Sequence, residues 1–176
     1  MSNALDFGDK SELRKTNNVS KTKQIFDERK VLYKGRYHRL TFVPRHTQRI
    51  SVRDHNIVLP NYAKINLKQV VKDWMNKETG KLVEKRLKHL GRRLRLRASG
   101  FSVQDTRKWA YRTRDKRIIF NSQLIGLPAG LADYVIVREL VRLRESGRSK
   151  KLNSALASVV PDFKEKELLL KHFITE

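Results

Sequence analysis

Residues 133–149 read DYVIVRELVRLRESGRS, and this stretch carries the clearest structural and functional signal in the chain. Its apolar residues lie between a preceding proline and a following glycine, which predicts a helix over about residues 131–145. Arg138 and Arg142 are four residues apart, so they share one face of that helix, and Glu139 lies beside them. This helix therefore carries the candidate functional site.

Outward from this helix, the chain alternates short strand patterns with helical ones. Strands are predicted near residues 40–42, 50–52, 57–59, 92–97, 101–103 and 117–121. Further helices are predicted at residues 67–75, 81–90, 152–159 and 163–173. Asp54-His55-Asn56 is typical of a hairpin turn, and Gly91 is predicted to stop the helix before it.

Residues 1–34 differ from the rest because they are polar and basic. Only Ile25 and Phe26 offer apolar anchorage in this part of the sequence. The composition predicts an N-terminal extension that is flexible alone and becomes ordered on a partner. The folded domain is then expected to occupy residues 35–176.

The charge balance indicates the kind of partner. The 176 residues contain 40 Lys and Arg against 18 Asp and Glu, a formal net charge of +22. Such an excess persists most easily when a polyanion neutralises it, and RNA, DNA and anionic membranes are the usual polyanions. The sequence shows no strong basic amphipathic helix with exposed aromatic residues, which favours nucleic acid over a membrane. A solvated basic surface without a dedicated ligand is the alternative.

Other classes of protein are excluded or disfavoured by composition. The absence of Cys excludes disulfides, thiolate zinc sites, iron–sulfur clusters and cysteine nucleophiles. No apolar run approaches the roughly 20 residues that span a bilayer, and the first residues show no secretory signal. We therefore expect a cytoplasmic protein without a membrane segment, and a monomer in isolation because of its self-repulsion.

Two basic stretches are predicted to contact nucleic acid. Residues 92–97 read RRLRLR, so in a strand the Arg side chains would line one face as a row of phosphate contacts, or simply protect a sheet edge. Residues 107–114 place basic residues around aromatic ones, which suits RNA, although Trp109 alternatively serves as a core aromatic. The candidate residues are Arg92, Arg93, Arg95, Arg97, Arg107, Lys108, Trp109, Arg112 and Arg114.

The helix at residues 131–145 also resembles the active-site helix of the YgjP-like metallopeptidases, zincins related to the SprT-like and WLM domains. In that family the segment reads D-Y-V-V-x-H-E-L-A-H-L-x-x-x-x-H-S, in which three His bind zinc and the Glu is the general base. The family patterns W-G-S-C, N-x-x-L-I-x-x-P and P-D-[YF] correspond to residues 109–112, 121–128 and 161–163. From about Tyr37 onward, this resemblance implies an α+β, zincin-like (minigluzincin) domain in which a small antiparallel or mixed sheet packs on the former metal helix and its flanking helices.

The sequence departs from the family pattern at the residues that bind the metal. The three zinc-ligand positions are occupied by Arg138, Arg142 and Arg148, and only the general-base position keeps its residue, as Glu139. Arginine stays protonated and has no lone pair for a metal. The sequence therefore predicts a pseudoenzyme that binds no metal and no cofactor, with Glu139 as a vestige of the catalytic site.

Two roles for the three Arg residues remain open. They are placed to bind a phosphate bidentately, or to pair with Glu139 and Glu145 and fill the former metal cavity. Both roles can hold together if one Arg is oriented by Glu139 and presents its free edge outward. Trp109 and Arg112 are expected near the same cleft if the family's topology is preserved.

The sequence as a whole predicts a catalytically inactive, YgjP-like protein that binds RNA, with the ribosome as a candidate partner. RNA is favoured over DNA, although DNA binding by analogy with SprT-like relatives remains an alternative. A second alternative is a metal-independent phosphoester or nucleotide hydrolase that uses Glu139 and the Arg cluster.

Overall fold

The computed structural model describes residues 23–27, 29–44, 49–145 and 150–174 of the chain. Their strands are β1 (Lys23–Gln24), β2 (Phe26–Asp27), β3 (Lys30–Tyr33), β4 (Arg36–Val43), β5 (Ser51–Arg53), β6 (Asn56–Pro60), β7 (Gly100–Gln104), β8 (Ala110–Arg112), β9 (Arg117–Asn121) and β10 (Phe173–Ile174). Their helices are α1 (Leu67–Leu94), α2 (Ala129–Arg144), α3 (Lys150–Val159) and α4 (Phe163–Leu170). Two 3₁₀ turns precede the two longest helices, at Asn61–Lys64 and Ser122–Gly126. The predicted α+β class is confirmed.

The strands form three sheets. A five-stranded sheet has the order β2-β3-β4-β6-β5, with β4 and β6 parallel and the other neighbours antiparallel. A three-stranded sheet has the order β7-β9-β8, with β7 and β9 parallel. A third, two-stranded sheet pairs β1 with β10 in parallel, so it joins the two ends of the described chain. The two larger sheets are mixed, as the resemblance implied.

The predicted hairpin turn before β6 is confirmed. Asp54 and His55 both have positive φ angles, 41° and 63°, as the two central residues of a type I′ turn require. Arg53 and Asn56 are paired on either side, and the Asn56 amide donates a hydrogen bond to the Asp54 carbonyl at 3.0 Å. Turn chemistry alone therefore placed this hairpin correctly.

The predicted boundary between extension and domain, at residues 34 and 35, falls inside the five-stranded sheet. Strand β3 lies between β2 and β4, and Ile25, Val31 and Leu32 are fully buried. These few apolar residues are surrounded by Lys, Asp and Arg in the sequence, which hid the strand pattern. The domain therefore begins before residue 35, and residues 1–22 of the predicted extension lie outside the described residues.

The predicted strand at residues 92–97 is wrong, because α1 continues through the predicted stop at Gly91 and ends only at Leu94. Arg95 then adopts the left-handed conformation, with φ 53° and ψ 38°. The Leu96 N–H donates to the Gly91 carbonyl at 2.9 Å and the Arg95 N–H to the Arg92 carbonyl at 3.2 Å. This is the hydrogen-bond pattern of a Schellman motif, in which the chain reverses direction at the end of a helix. The alternating Arg and Leu residues of 92–97 therefore belong to the last turn of α1 and to this reversal, not to a strand.

Gly91 is required by this return of the chain. A Cβ atom at this position would lie 2.7 Å from the Leu96 carbonyl oxygen, which belongs to the backbone and cannot move aside easily. We expect Gly91→Ala to lower the free energy of unfolding by about 1–3 kcal/mol, measured by urea denaturation.

Gly80 on the same helix provides the matched control. A Cβ atom there would meet nothing within 4 Å. Gly80→Ala should therefore raise stability by about 0.5–1 kcal/mol through helix propensity alone. Equal effects of the two substitutions would contradict the packing role of Gly91.

Helix α2 is the centre of the domain, and all of its residues from Gly130 to Val137 are buried. Its predicted position is confirmed. Asp133 accepts two hydrogen bonds from the Arg86 guanidinium of α1, one of them at 2.6 Å from Nε. Farther along α1 towards its N-terminus, the Thr79 hydroxyl donates to the Ser122 carbonyl at 2.6 Å. These contacts fix α2 and the turn before it against the long helix.

The last helix is shorter than the sequence predicts. Helix α3 matches the predicted segment closely, but α4 ends at Leu170 and the chain then turns into β10. Phe173, predicted as the end of the last helix, instead lies in the strand that pairs with β1 and is buried.

Candidate functional site

A buried carboxylate with two arginines lies on α2. Glu139 is only 1% exposed, and its Oε1 accepts hydrogen bonds from Arg138 Nε at 3.1 Å and Arg142 Nη1 at 2.9 Å. Both guanidinium groups therefore reach the same oxygen of one carboxylate. Two positive charges and one negative charge leave the group with a net charge of +1. Arg142 is the more exposed of the two arginines, with 32% of its side chain accessible against 15% for Arg138.

Aromatic and acidic groups surround this ion-paired cluster. The guanidinium carbon of Arg138 lies 5.8 Å from the centre of the Tyr134 ring, within the range of a cation–π contact. The Tyr134 hydroxyl donates a hydrogen bond to Glu167 of α4 at 3.0 Å. Burial raises the pKa of this hydroxyl, and Glu167 raises it further, so the phenol stays protonated and keeps donating at neutral pH.

Trp109 and Arg112, from the aromatic and basic stretch at residues 107–114, also lie near α2, as the resemblance implied. The Arg112 guanidinium of β8 donates a hydrogen bond to the Arg142 carbonyl. Trp109 packs against the core but stays half-buried. Together with Arg138, Glu167, Leu170 and Lys171 it lines an open cleft of about 360 Å³. The two alternatives for Trp109 are therefore compatible, because one part of its surface contacts the core and another faces the cleft.

Zinc does not fit the described residues of this cleft. Arg138 and Arg142 have no lone pair to donate, and the one carboxylate between them is engaged by both. Across the described ranges, no group of three or more His, Cys, Asp or Glu side chains could hold a metal ion. His38 and His55 do meet, with ring centres 5.8 Å apart, but they lie in the N-terminal sheet region. Arg148, the third former ligand position, lies outside the described residues.

A second cationic site lies at the C-terminal end of α1, and we call it the α1-end cleft. It has a volume of about 620 Å³. Its exposed rim carries four cations, Lys88, Arg92, Arg95 and Arg97. Its apolar wall includes Leu96, Phe101 and Leu140, the last of which follows Glu139 on α2. Leu140 is the residue of α2 that lines this cleft.

The predicted nucleic-acid residues divide between these two places and the loops near them. Arg92, Arg95 and Arg97 line the α1-end cleft, and Arg93 is exposed beside them. Trp109 and Arg112 lie against α2 as described, whereas three further residues are exposed around β8: Arg107, Lys108 and Arg114.

Sequence reasoning missed four residues of the two clefts. They are Lys88, Phe101, Glu167 and Lys171. Lys88 had a usable signal, because it precedes Arg92 by four residues and shares its helix face. Phe101 follows Arg97 by four residues but belongs to β7, so its place in the cleft depends on how the chain turns back after α1. Glu167 and Lys171 are distant in sequence from Trp109 and Arg138, so only tertiary packing brings them to that cleft.

A protein-family model matches most of the chain. The family described as YgjP-like, metallopeptidase domain, matches residues 9–173. The chain therefore belongs to the YgjP-like metallopeptidase family, and the expected family membership is confirmed. Searches of curated proteins and of solved structures found no match.

Proposed function

We propose that this chain is a catalytically inactive member of the YgjP-like family and that it binds RNA through its basic surface. One observation carries the proposal. Arginines occupy ligand positions of the family's zinc site, and Arg138 and Arg142 both bind the buried Glu139 carboxylate, the general-base position. Where the family has zinc ligands and a general base, this chain therefore has a positively charged group of three side chains that pair with one another.

Inactivity follows from what hydrolysis would require. The family's general base acts on a water molecule that a metal has made acidic. Here the candidate base is 1% exposed and occupied by two guanidinium groups. The described residues provide neither a site for a metal-activated water nor an accessible carboxylate at the general-base position, so we expect no peptidase activity.

RNA binding rests on charge and on its placement. The net charge is +22, and clusters of exposed cations lie at the end of α1 and around β8. Neutralising phosphates with these side chains releases counterions and gives strong binding at low salt. Trp109 beside the basic residues favours RNA, whose unpaired bases stack on aromatic rings. The ribosome is the candidate partner because it presents a large RNA surface. No helix in the described parts of the chain is long and apolar enough to cross a membrane.

The ion-paired cluster on α2 can still contribute to this binding. A guanidinium group has five N–H donors, and Arg138 and Arg142 each give one to Glu139. Arg138 also lines the cleft that contains Lys171. The remaining donors are therefore available to a phosphate, and internal pairing and phosphate binding are compatible roles.

The test is binding of the full chain to ribosomes, structured RNA and duplex DNA over a salt series. We expect saturable binding to RNA, tighter than to duplex DNA, with a logarithmic salt slope approaching one for each phosphate neutralised. Cosedimentation with ribosomes and fluorescence anisotropy with labelled RNA measure it. Absence of saturable RNA binding at low salt, with protein shown to be folded by circular dichroism, would overturn the proposal.

A variant that removes the net charge of +1 from the cluster locates the contact. Arg138→Gln, Glu139→Gln and Arg142→Gln together remove the cluster without leaving an unpaired buried charge. Arg53→Gln is the control, because this exposed Arg of β5 lines neither cleft. RNA binding that is weaker in the triple variant than in Arg53→Gln places the contact at α2, whereas equal binding by the two variants assigns it to the other basic residues.

A further inference from the structure

We propose that the α1-end cleft holds an unpaired nucleotide of single-stranded RNA, with its base against the apolar wall and its phosphates on the cationic rim. This inference deepens the proposed RNA binding and rests on it.

The size and lining of the cleft suit a nucleotide. Its volume of about 620 Å³ lies within the roughly 300–1,000 Å³ of small-molecule sites. Phe101 and Leu96 on its wall are both half-buried, so each keeps part of its apolar surface open. The rim cations are exposed, so they are accessible to a phosphate outside the cleft.

The charge of the cleft is uncompensated. No acidic side chain is among the residues that line it, and among the described residues no carboxylate forms an ion pair with Lys88, Arg92, Arg95 or Arg97. The end of α1 contributes only about half a negative charge, which four cations exceed. The cleft beside Trp109 differs, because Glu167 lines it and Glu139 pairs with its Arg138. The α1-end cleft is therefore the better receptor for a phosphodiester.

An apolar wall inside a cationic rim favours an unpaired base over a duplex. In a duplex the bases are stacked and paired, so phosphates could meet the rim but no base could reach Phe101. A single strand can place one base on this ring while its flanking phosphates meet the Arg side chains, as in other single-strand sites.

The backbone of Arg95 supports a functional role for the rim. Arg95 is left-handed at φ 53°, a conformation that costs a non-glycine residue free energy and that glycine adopts freely. Glycine is the usual residue at this position of a Schellman motif. An arginine there gives up stability and adds a cation to the rim of the cleft.

The test uses fluorescence anisotropy with the full chain and two probes, a labelled 12-nucleotide oligo(U) and a labelled 12-base-pair RNA duplex. Phe101→Leu keeps the wall apolar but removes the aromatic ring. Its affinity for oligo(U) should fall roughly 5- to 100-fold, while its affinity for the duplex stays within about twofold. Ala98→Leu, which fills the cleft from its lining without deleting a contact, should cause the same selective loss.

Arg95→Gly separates binding from folding. It relieves the left-handed strain, so its melting temperature should rise while its affinity for oligo(U) falls. Arg53→Gln is the control for the loss of one exposed cation elsewhere and should lower affinity for both probes alike.

Three results overturn the inference. Unchanged oligo(U) binding by Phe101→Leu and Ala98→Leu would do so while leaving the proposed RNA binding intact. Equal losses of affinity for oligo(U) and for the duplex in Phe101→Leu and Ala98→Leu would show a general basic surface rather than a nucleotide cleft. Failure of the wild-type chain to bind either probe would remove the proposed function itself.

Discussion

Glu139→Gln is expected to lower the free energy of unfolding by about 3 kcal/mol, the cost of breaking a buried ion pair by removing one partner. The carboxylate is 1% exposed and holds both Arg138 and Arg142. Glutamine keeps the size of the side chain but not its charge, so two half-buried guanidinium groups would lose their neutralising partner. Urea denaturation followed by circular dichroism measures the change.

Glu145→Gln is the matched control at the end of the same helix. Glu145 pairs with Arg144 at 3.5 Å, and Arg144 is 58% exposed. Exposed pairs contribute about 0–1 kcal/mol, so this substitution should change stability little. Equal effects of the two substitutions would show that Glu139 is not a structural carboxylate. Nucleotide turnover by the wild-type chain that disappears in Glu139→Gln would support the hydrolase alternative instead.

We expect that replacing Arg138, Arg142 and Arg148 together by His creates a site for one zinc ion, whereas we expect the wild-type chain to retain none. Two of these positions lie one helical turn apart on α2, the spacing of a His-Glu-x-x-His site. The substitution also removes both guanidinium groups that occupy Glu139, which frees the carboxylate. Equilibrium dialysis followed by elemental analysis measures zinc per chain.

The control replaces the same three Arg residues by Gln, which removes the charges without adding ligands. It should retain no zinc. If the wild-type chain itself held zinc at one ion per chain, the proposal of an inactive member would be overturned. If the His variant folded but bound none, loss of the metal site would extend beyond the ligand positions.

The sequence predicted the elements whose signals are local. Helix α2 and the Asp54–Asn56 turn follow from composition and turn chemistry within a few residues. The strand predicted at 92–97 failed because alternation is also produced when a helix ends in a Schellman motif, and Arg95 occupies a position where glycine is usual. A non-glycine residue in a left-handed conformation leaves no mark in the sequence.

The candidate site was predicted only where its residues are close together in the sequence. Arg138, Glu139 and Arg142 are neighbours on one helix, so their pairing was among the alternatives open from spacing alone. The α1-end cleft depends on Leu140 and Phe101 meeting the end of α1, and the Arg86–Asp133 pair joins residues 47 positions apart. Such meetings depend on tertiary packing, which a single sequence without an alignment does not reveal.

The parallel pair of β1 and β10 sets an order for biosynthesis. Residues 23–24 find their partner only after residues 173–174 have been made, about 150 residues later, which takes roughly 10–30 s at ordinary translation rates. During that interval β1 has no partner strand. Closure of this sheet therefore requires that β10 has already been synthesised, so β1 pairs later than strands whose partners lie close by in the sequence.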